Sequence, residues 1–422
     1  MSSPQRASNS SAVWWRLCVG LVCFAFVLRA PFVAVAPIAG DIGADLNWDA
    51  ATVGLLTGLP ALCFAVLTPF AARAVGLLGP NLAISTTILG VGIGVIVRSS
   101  GDTAAALVGT ILIGAFIAVG NIAVPVVVRR DVAPDRVDVT SGMFTAALNL
   151  GSMITSALTA PLALLWGWRV ALAFWCVLVV LAAVTWILAV GLRPAFRRRA
   201  VRFASPGPNA CPRTNASPRP ASRGWWWHRT AVTLALAFAG QSFVYFGLTA
   251  WLPAILREEV GMTPIGAGAA AGVLQIAAVP GALVAPWLQR RLGMFGALLA
   301  LEALYVIGPV GLLVASESWA VWMSLSGFAQ GGGYTLLFTL VVRVSRDEDQ
   351  VRVLAAVTQG IGYVAAASAP SLIGALWSTS GAWTAPLVVF IGAAVVCAVS
   401  AVLSVAIAGE HGRFPPARGH PA

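Results

Sequence analysis

Long apolar runs separated by short polar connections organise this chain almost from end to end. A helix needs about 20 predominantly apolar residues to cross a bilayer. Segments of that kind lie at 14–38, 51–71, 80–98, 103–128, 140–164 and 169–192, and, after a break, at 230–255, 266–288, 294–314, 319–342, 353–376 and 383–408. The pattern predicts an all-α membrane protein with twelve transmembrane helices. The connections after even-numbered segments hold Arg73, the stretch from Arg129 to Arg136, the segment 193–229, Arg290 with Arg291, and the stretch from Arg343 to Arg352. The alternate connections hold Asp41, Asp45, Asp49, Asp102, Arg169, Arg257, Glu258, Glu259 and Glu317. Arg concentrated on one side marks the cytoplasmic loops, which places both termini in the cytoplasm and the chain in a plasma (inner) membrane.

These boundaries divide the chain into a cytoplasmic N-terminal tail (1–13), a six-helix half (14–192), a linker (193–229), a second six-helix half (230–408) and a cytoplasmic C-terminal tail (409–422). The linker is rich in Arg, Pro and Ser, a composition that builds no core and predicts a mobile cytoplasmic segment. Its basic residues beside a membrane also suit anionic lipid. Asn215 and Ser217 match a glycosylation sequon on the wrong side for it, and Trp225, Trp226 and Trp227 suit an interfacial belt. Near the N-terminus, Arg6 and Arg16 precede an apolar run that is too long for a signal peptide and lacks an A-x-A site, so the run reads as an uncleaved first helix.

Composition narrows the function. Apolar residues make up 59% of the chain and charged residues 10%, against about 25% charged in soluble domains. All 26 basic residues are Arg, which removes Schiff-base chemistry and the lysine of a phosphate loop. The net charge of +11 sits mainly in the connections, so it orients the protein rather than binding nucleic acid. The glycine runs Gly90-x-Gly92-x-Gly94 and Gly331-Gly332-Gly333 lie inside apolar spans, where they allow close helix approach and bending. Cys18, Cys23, Cys63, Cys176 and Cys397 are packing residues inside apolar runs, and Cys211 lies in the linker; none forms a C-x-x-C pair. His228, His411 and His420 all fall near loops or tails. No metal cluster, cofactor motif or nucleophile–base pair appears in the spans, so the chain is not read as an enzyme.

The two halves repeat. Pro69-x3-Arg73-x2-Gly76 recurs as Pro286-x3-Arg290-x2-Gly293, Gly114-x5-Gly120-Asn121 as Gly327-x5-Gly333-Tyr334, and Thr159-Ala-Pro161 as Ser368-Ala-Pro370. The matches keep their order at a slowly shrinking offset. Parallel six-helix repeats with a substrate site near the midplane between them characterise one large transporter architecture.

Several stretches carry a family likeness: Leu28-Arg29-Ala-Pro31, Val53-Gly-Leu-Leu-Thr57-Gly-Leu-Pro60, Gly120-Asn121-x3-Pro125, Gln241-Ser-Phe-Val-Tyr245-x5-Trp251-Leu-Pro253, Gly327-x2-Gln330-Gly331 and Gln359-x2-Gly362-Tyr363. On these the chain resembles major facilitator transporters, and more narrowly the cyanate permease and 2-nitroimidazole transporter group. The resemblance implies movement of a small anion or small polar heterocycle. It departs from the family in one loop. Many facilitators carry an Asp between helices 2 and 3, where this chain reads Pro69-Phe-Ala-Ala-Arg73-Ala-Val-Gly76. A charge-pair latch built on that Asp is not expected here.

The candidate site starts at Arg29, about 22 Å along the first helix from Trp14 at ~1.5 Å per residue. A charge at that depth costs at least about 2.5 kcal/mol unless it faces protein or a wet cavity. A guanidinium presents a planar fork suited to a small oxyanion or carboxylate; an Arg satisfied by helix carbonyls is the alternative. Three of the four Tyr follow a Gln by four residues, Gln241–Tyr245, Gln330–Tyr334 and Gln359–Tyr363. That spacing puts each pair on one helix face. Such faces suit either a polar cavity or hydrogen bonds between helices. Asn121 and Asn149 complete the substrate-binding candidates, with Thr57 weaker. Trp251 is a candidate gate or an interfacial anchor.

Glu302 is a candidate for proton coupling, as a carboxylate within a span. Snorkelling, or a pair with a neighbouring Arg, is the favoured reading of it. Arg98 and Asp102 are expected to form a local ion pair. The sum is a secondary active transporter of a small, cyanate-like anion, working as a monomer by symport or antiport with Arg29 as anchor. Transport of a neutral nitroimidazole-like or drug-like compound is the alternative, and a non-transporting receptor lies outside the class.

Overall fold

The computed structural model describes residues 11–48, 50–197 and 229–410. The described residues are helical, with no strand. In chain order the helices are α1 (Ser11–Val33), α2 (Ala39–Asp45), α3 (Ala50–Leu78), α4 (Pro80–Ser99), α5 (Thr103–Asp131), α6 (Val137–Phe174), α7 (Cys176–Val190) and α8 (Leu192–Phe196). After the undescribed stretch come α9 (Arg229–Glu259), α10 (Pro264–Val314), α11 (Trp319–Val344), α12 (Glu348–Ser380) and α13 (Thr384–Glu410).

Local chemistry sets the ends. Asp102 caps α5 by accepting from Ala105 N, and Asp347 caps α12 by accepting from Gln350 N. Gly381, in the left-handed region at φ 64°, terminates α12. Nine helices among the described residues are long and apolar enough to span a bilayer, against the twelve expected. The difference has a physical origin. Gly167 (φ 78°, ψ 159°) and Gly293 (φ 71°, ψ 171°) leave the helical region, so α6 and α10 are each two helical segments joined at a kink, and each pair enters the count of nine as one stretch. In α3 only Leu62–Leu78 is assessed, and it falls short of the length.

Large apolar side chains such as Phe70, Val180 and Leu188 stand exposed on the helices, as lipid-facing surfaces require and soluble surfaces avoid. Inside, one apolar cluster runs from Leu17 and Phe24 of α1 through Val127 of α5 to Leu340 of α11 and Leu354 of α12. It therefore joins helices from before and after residues 198–228. A second cluster is confined to the later helices, around Leu248, Tyr305 and Phe390.

The Arg-rich end is closed across these two sets of helices. Asp138 of α6 accepts from Arg343 Nε (3.0 Å) and Nη2 (2.6 Å) of α11. Arg352 of α12 donates to the Ala72 carbonyl of α3 (3.0 Å), and Arg129 of α5 donates to the Arg346 carbonyl (3.2 Å). Phe144 and Phe338 meet beneath them at 5.7 Å between ring centroids. The missing loop Asp is thus replaced, with Asp138 supplying the acid and a backbone carbonyl inside α3 taking the Arg352 guanidinium. Arg343→Ala leaves a buried carboxylate without its partner. It should cost about 1–3 kcal/mol, seen as a lower thermal midpoint; an unchanged midpoint would remove the pair from the account.

At the opposite end Arg169 and the Trp168 indole N–H reach Asp45 at 2.7 and 3.1 Å, and hold its carboxyl below the usual carboxylate range. A lowered folded value means that the contribution to stability is present above the ordinary Asp range. It is lost as pH falls through the folded value. Arg169→Ala should move that loss to higher pH, read by infrared titration against an Asp45→Asn reference.

Two expectations change. Arg98 forms no pair with Asp102, which is engaged as the α5 cap. Arg98 is 1% exposed and donates Nη1 to the Pro31 carbonyl at 2.6 Å. That carbonyl belongs to the last turn of α1, where no following helical N–H is available to it. The linker predicted from 193 begins within α8, where the Ala195 carbonyl is buried and accepts from Ser85 at 2.8 Å while residues 193, 194, 196 and 197 are exposed. Residues 1–10, 198–228 and 411–422, which hold most of the predicted tails and linker, and the Thr57 side chain lie outside the described residues.

Candidate functional site

The Gln–Tyr faces of α9, α11 and α12 converge, as the four-residue spacing allows. Together with α1 they line a partly open cavity with about 410 Å³ of empty space, open solvent included. Arg29 comes from α1, Gln241 and Tyr245 from α9, Gln330 and Tyr334 from α11, and Gln359 and Tyr363 from α12. Seven of the nine substrate-binding candidates therefore share one wall. Phe238, Ser242 and Phe246 of α9 complete it. Phe238 lies one turn before Gln241, while Ser242 and Phe246 directly follow Gln241 and Tyr245, so reading the residues next to the Gln–Tyr stripe would have found them.

Arg29 is partly buried, and it makes no hydrogen bond or ion pair to any described residue. The alternative of an Arg satisfied by helix carbonyls has no contact behind it. Around it several of the other polar groups are tied to one another, while the side-chain oxygens of Gln241, Gln330 and Gln359 are buried without a hydrogen-bond partner among the described residues. Asn121 Nδ2 donates to Tyr363 Oη at 2.7 Å, and Gln359 Nε2 donates to the Asn121 carbonyl at 3.3 Å. These contacts join α5 to α12 behind the cavity wall. Gln241 Nε2 donates to the Gln330 carbonyl at 3.1 Å. Tyr245 Oη pairs with the Gln275 side-chain amide of α10 at 2.8 and 3.0 Å, a partner that sequence spacing alone did not reveal.

Aromatic rings fix the rest. Tyr334 meets Phe238 edge-on at 5.8 Å, Tyr245 meets Phe246 edge-on at 5.1 Å, and Tyr363 packs on Phe64 at 5.0 Å. The result is a fixed cation, neutral amides and phenols, and aromatic walls. Such a lining can orient a small solute bearing negative charge or polarised oxygen by charge-assisted hydrogen bonds to Arg29. It offers no nucleophile–base pair. Among the described residues no group of His, Cys, Asp and Glu could hold a metal ion.

The remaining candidates fall elsewhere. Asn149 is buried on α6 and donates to the Thr145 carbonyl one turn back. Trp251 donates to the Pro370 carbonyl of α12 at 2.9 Å and packs at a tilt against Trp383, just before α13, at 5.8 Å between ring centroids. Glu302 corrects its favoured reading. It is 1% exposed, its Oε2 accepts from the Cys397 thiol at 3.2 Å, and it forms no ion pair with any described residue. It neither snorkels nor pairs with an Arg. Depth along the helix was legible in the sequence, but the face was not: this part of α10 turns Glu302 inward against α13 and α11.

Comparison with known proteins bears on this geometry. Residues 17–370 match the Major Facilitator Superfamily. The chain is 31% identical over 385 residues to uncharacterized transporter YycB of Bacillus subtilis (strain 168), covering 90% of this chain and 91% of that protein. It is 30% identical over 380 residues to the 2-nitroimidazole transporter of Escherichia coli (strain K12), covering 88% and 90%. It is 24% identical over 369 residues to the cyanate transport protein CynX of the same organism, covering 86% and 90%.

Proposed function

The chain belongs to the Major Facilitator Superfamily, and from that premise we propose that it is a secondary active transporter of a small anion, cyanate-like in size and charge. Alternating access moves the solute past the cavity between α1, α9, α11 and α12, with Arg29 as the anion anchor. The observation that carries this reading is the Arg29 guanidinium, unpaired inside a membrane protein and turned to a cavity with no carboxylate in its lining. A bare cation there is expensive, and a bound anion relieves the cost. The protein sits in the plasma (inner) membrane with both termini and the Arg-rich connections in the cytoplasm, and it works as a monomer.

A second reading has its own support. The lining is mostly amide, phenol and phenyl, and the chain is 30% identical to a 2-nitroimidazole transporter. A neutral heterocycle could stack on Phe238 and Phe246 and place polarised oxygens on Arg29. Uptake into proteoliposomes separates the two. Radiolabelled cyanate and other small anions are offered beside neutral azoles, each competing with the others. Anion uptake that azoles do not suppress supports the first reading. Azole uptake without anion competition supports the second.

A further inference from the structure

Glu302 is a fully buried acid that forms no ion pair with any described residue. It lies on α10, and no cation contacts it. Cys397 of α13 donates its S–H to Oε2, while Oε1 has no hydrogen-bond partner among the described residues. The gap beside Oε1 exists because residue 333 is a glycine. A Cβ there would sit 2.6 Å from Glu302 Oε1 and 3.3 Å from Gln241 Nε2. The carboxyl and the Gln241 amide thus flank one backbone position of α11. Gln241 in turn lines the cavity with Arg29, and its own Oε1 is buried without a partner.

Glu302 Oε1 is therefore a buried acceptor with no donor in hydrogen-bonding range among the described residues, since the Gln241 group nearest to it across Gly333 is the amide Nε2, which is given to the Gln330 carbonyl. Buried acceptors are almost always paired, and a proton on the carboxyl removes the charge that this site leaves unpaired. The titratable groups facing Glu302 are few. Cys397 approaches from α13. Tyr305, one turn along α10, is buried with its O–H committed to the Gln241 carbonyl at 3.1 Å. From α9 the nearest is Tyr245, one turn beyond Gln241; from α11 the backbone of Gly333 makes the approach, with Tyr334 next along the cavity wall. Arg29 of α1 is the sole cation in the cavity lining.

We propose that Glu302 is a proton-carrying site, connected to the solute cavity through Gln241, which makes transport proton-coupled. The proposal deepens the transport reading above and rests on it. Loading breaks no bond in the protein: a proton from the open side adds to the carboxylate. Release breaks the carboxyl O–H and returns the proton to water on the other side. An anion at Arg29 makes the cavity less positive and so favours the proton on Glu302. By linkage, the proton favours the anion equally. The two move together, and the neutral pair crosses where either charge alone would be costly.

The test uses the full chain in proteoliposomes with radiolabelled cyanate and 2-nitroimidazole as probes. Glu302→Gln should lose accumulation driven by an imposed pH gradient while keeping exchange at equal pH on both sides. Glu302→Asp, which retains the acid, should restore accumulation. A purely structural role would move exchange and accumulation together, and that result overturns the proposal, as does gradient-driven accumulation at the wild-type rate in Glu302→Gln. Infrared titration of the solute-free protein supplies a reading independent of any probe. A protonated-carboxyl band present in wild type and missing in Glu302→Gln supports the site, and identical titrations overturn it. Should neither probe cross in wild type, the transport reading for these solutes falls, and the infrared band alone decides on Glu302.

Discussion

Arg29→Ala abolishes uptake of an anionic solute in proteoliposomes while the protein still folds and reaches the membrane. The reasoning begins with what Arg29 does not touch. It contributes no hydrogen bond or ion pair to the fold, so its removal leaves no buried partner stranded. Its loss falls on the solute instead. Truncating one member of a desolvated, hydrogen-bonded charge pair costs about 2–5 kcal/mol, which is roughly 30-fold to several thousand-fold in affinity. Arg29→Gln should fail almost as completely, since it keeps hydrogen-bonding capacity without charge. Arg29→Lys keeps the charge as a point without the planar fork, so it should retain part of the affinity and lose discrimination between oxyanions. Transport of a neutral azole depends less on the formal charge, and a smaller loss is expected for that class.

The largest structural effect is expected at Gly331. A Cβ on this residue would lie 1.9 Å from the Ala278 carbonyl oxygen of α10, and Gly281 of α10 faces the Phe328 carbonyl of α11 at the same separation. The obstruction is backbone, which cannot rotate away, so any side chain must push α10 and α11 apart. Ordinary overpacking of a core costs about 1–3 kcal/mol, and a displacement of two helices exceeds it. Gly331→Leu should abolish recovery of monodisperse protein from membranes. Gly331→Ala should lower the thermal midpoint measurably. Wild-type yield and midpoint in Gly331→Leu would show that the two helices are not packed as described.

Much of this was legible in the sequence. Apolar run length marks the spanning helices because the bilayer sets their length, and it does so without tertiary information. The Gln–Tyr pairs were visible because a four-residue spacing fixes a shared face wherever the helix sits. What spacing does not encode is which face meets which neighbour. Arg98 looked like a loop residue and proved fully buried, because the α1 end near Pro31 supplies its acceptor. Glu302 looked peripheral and proved enclosed. The Asp138–Arg343 pair and the Tyr245–Gln275 pair join positions far apart in the chain, and no local pattern announces them. Asn149 was drawn in by polarity alone, and its side chain is satisfied within its own helix.

The central claim is that Arg29 holds an anion. Direct binding tests it most closely, free of any assumption about coupling or direction. Radiolabelled cyanate is bound to purified wild-type protein and to Arg29→Gln, and displaced by a panel of small anions and azoles. The account predicts saturable binding in wild type that small anions displace, and none in Arg29→Gln. Equal binding in the two proteins would contradict it.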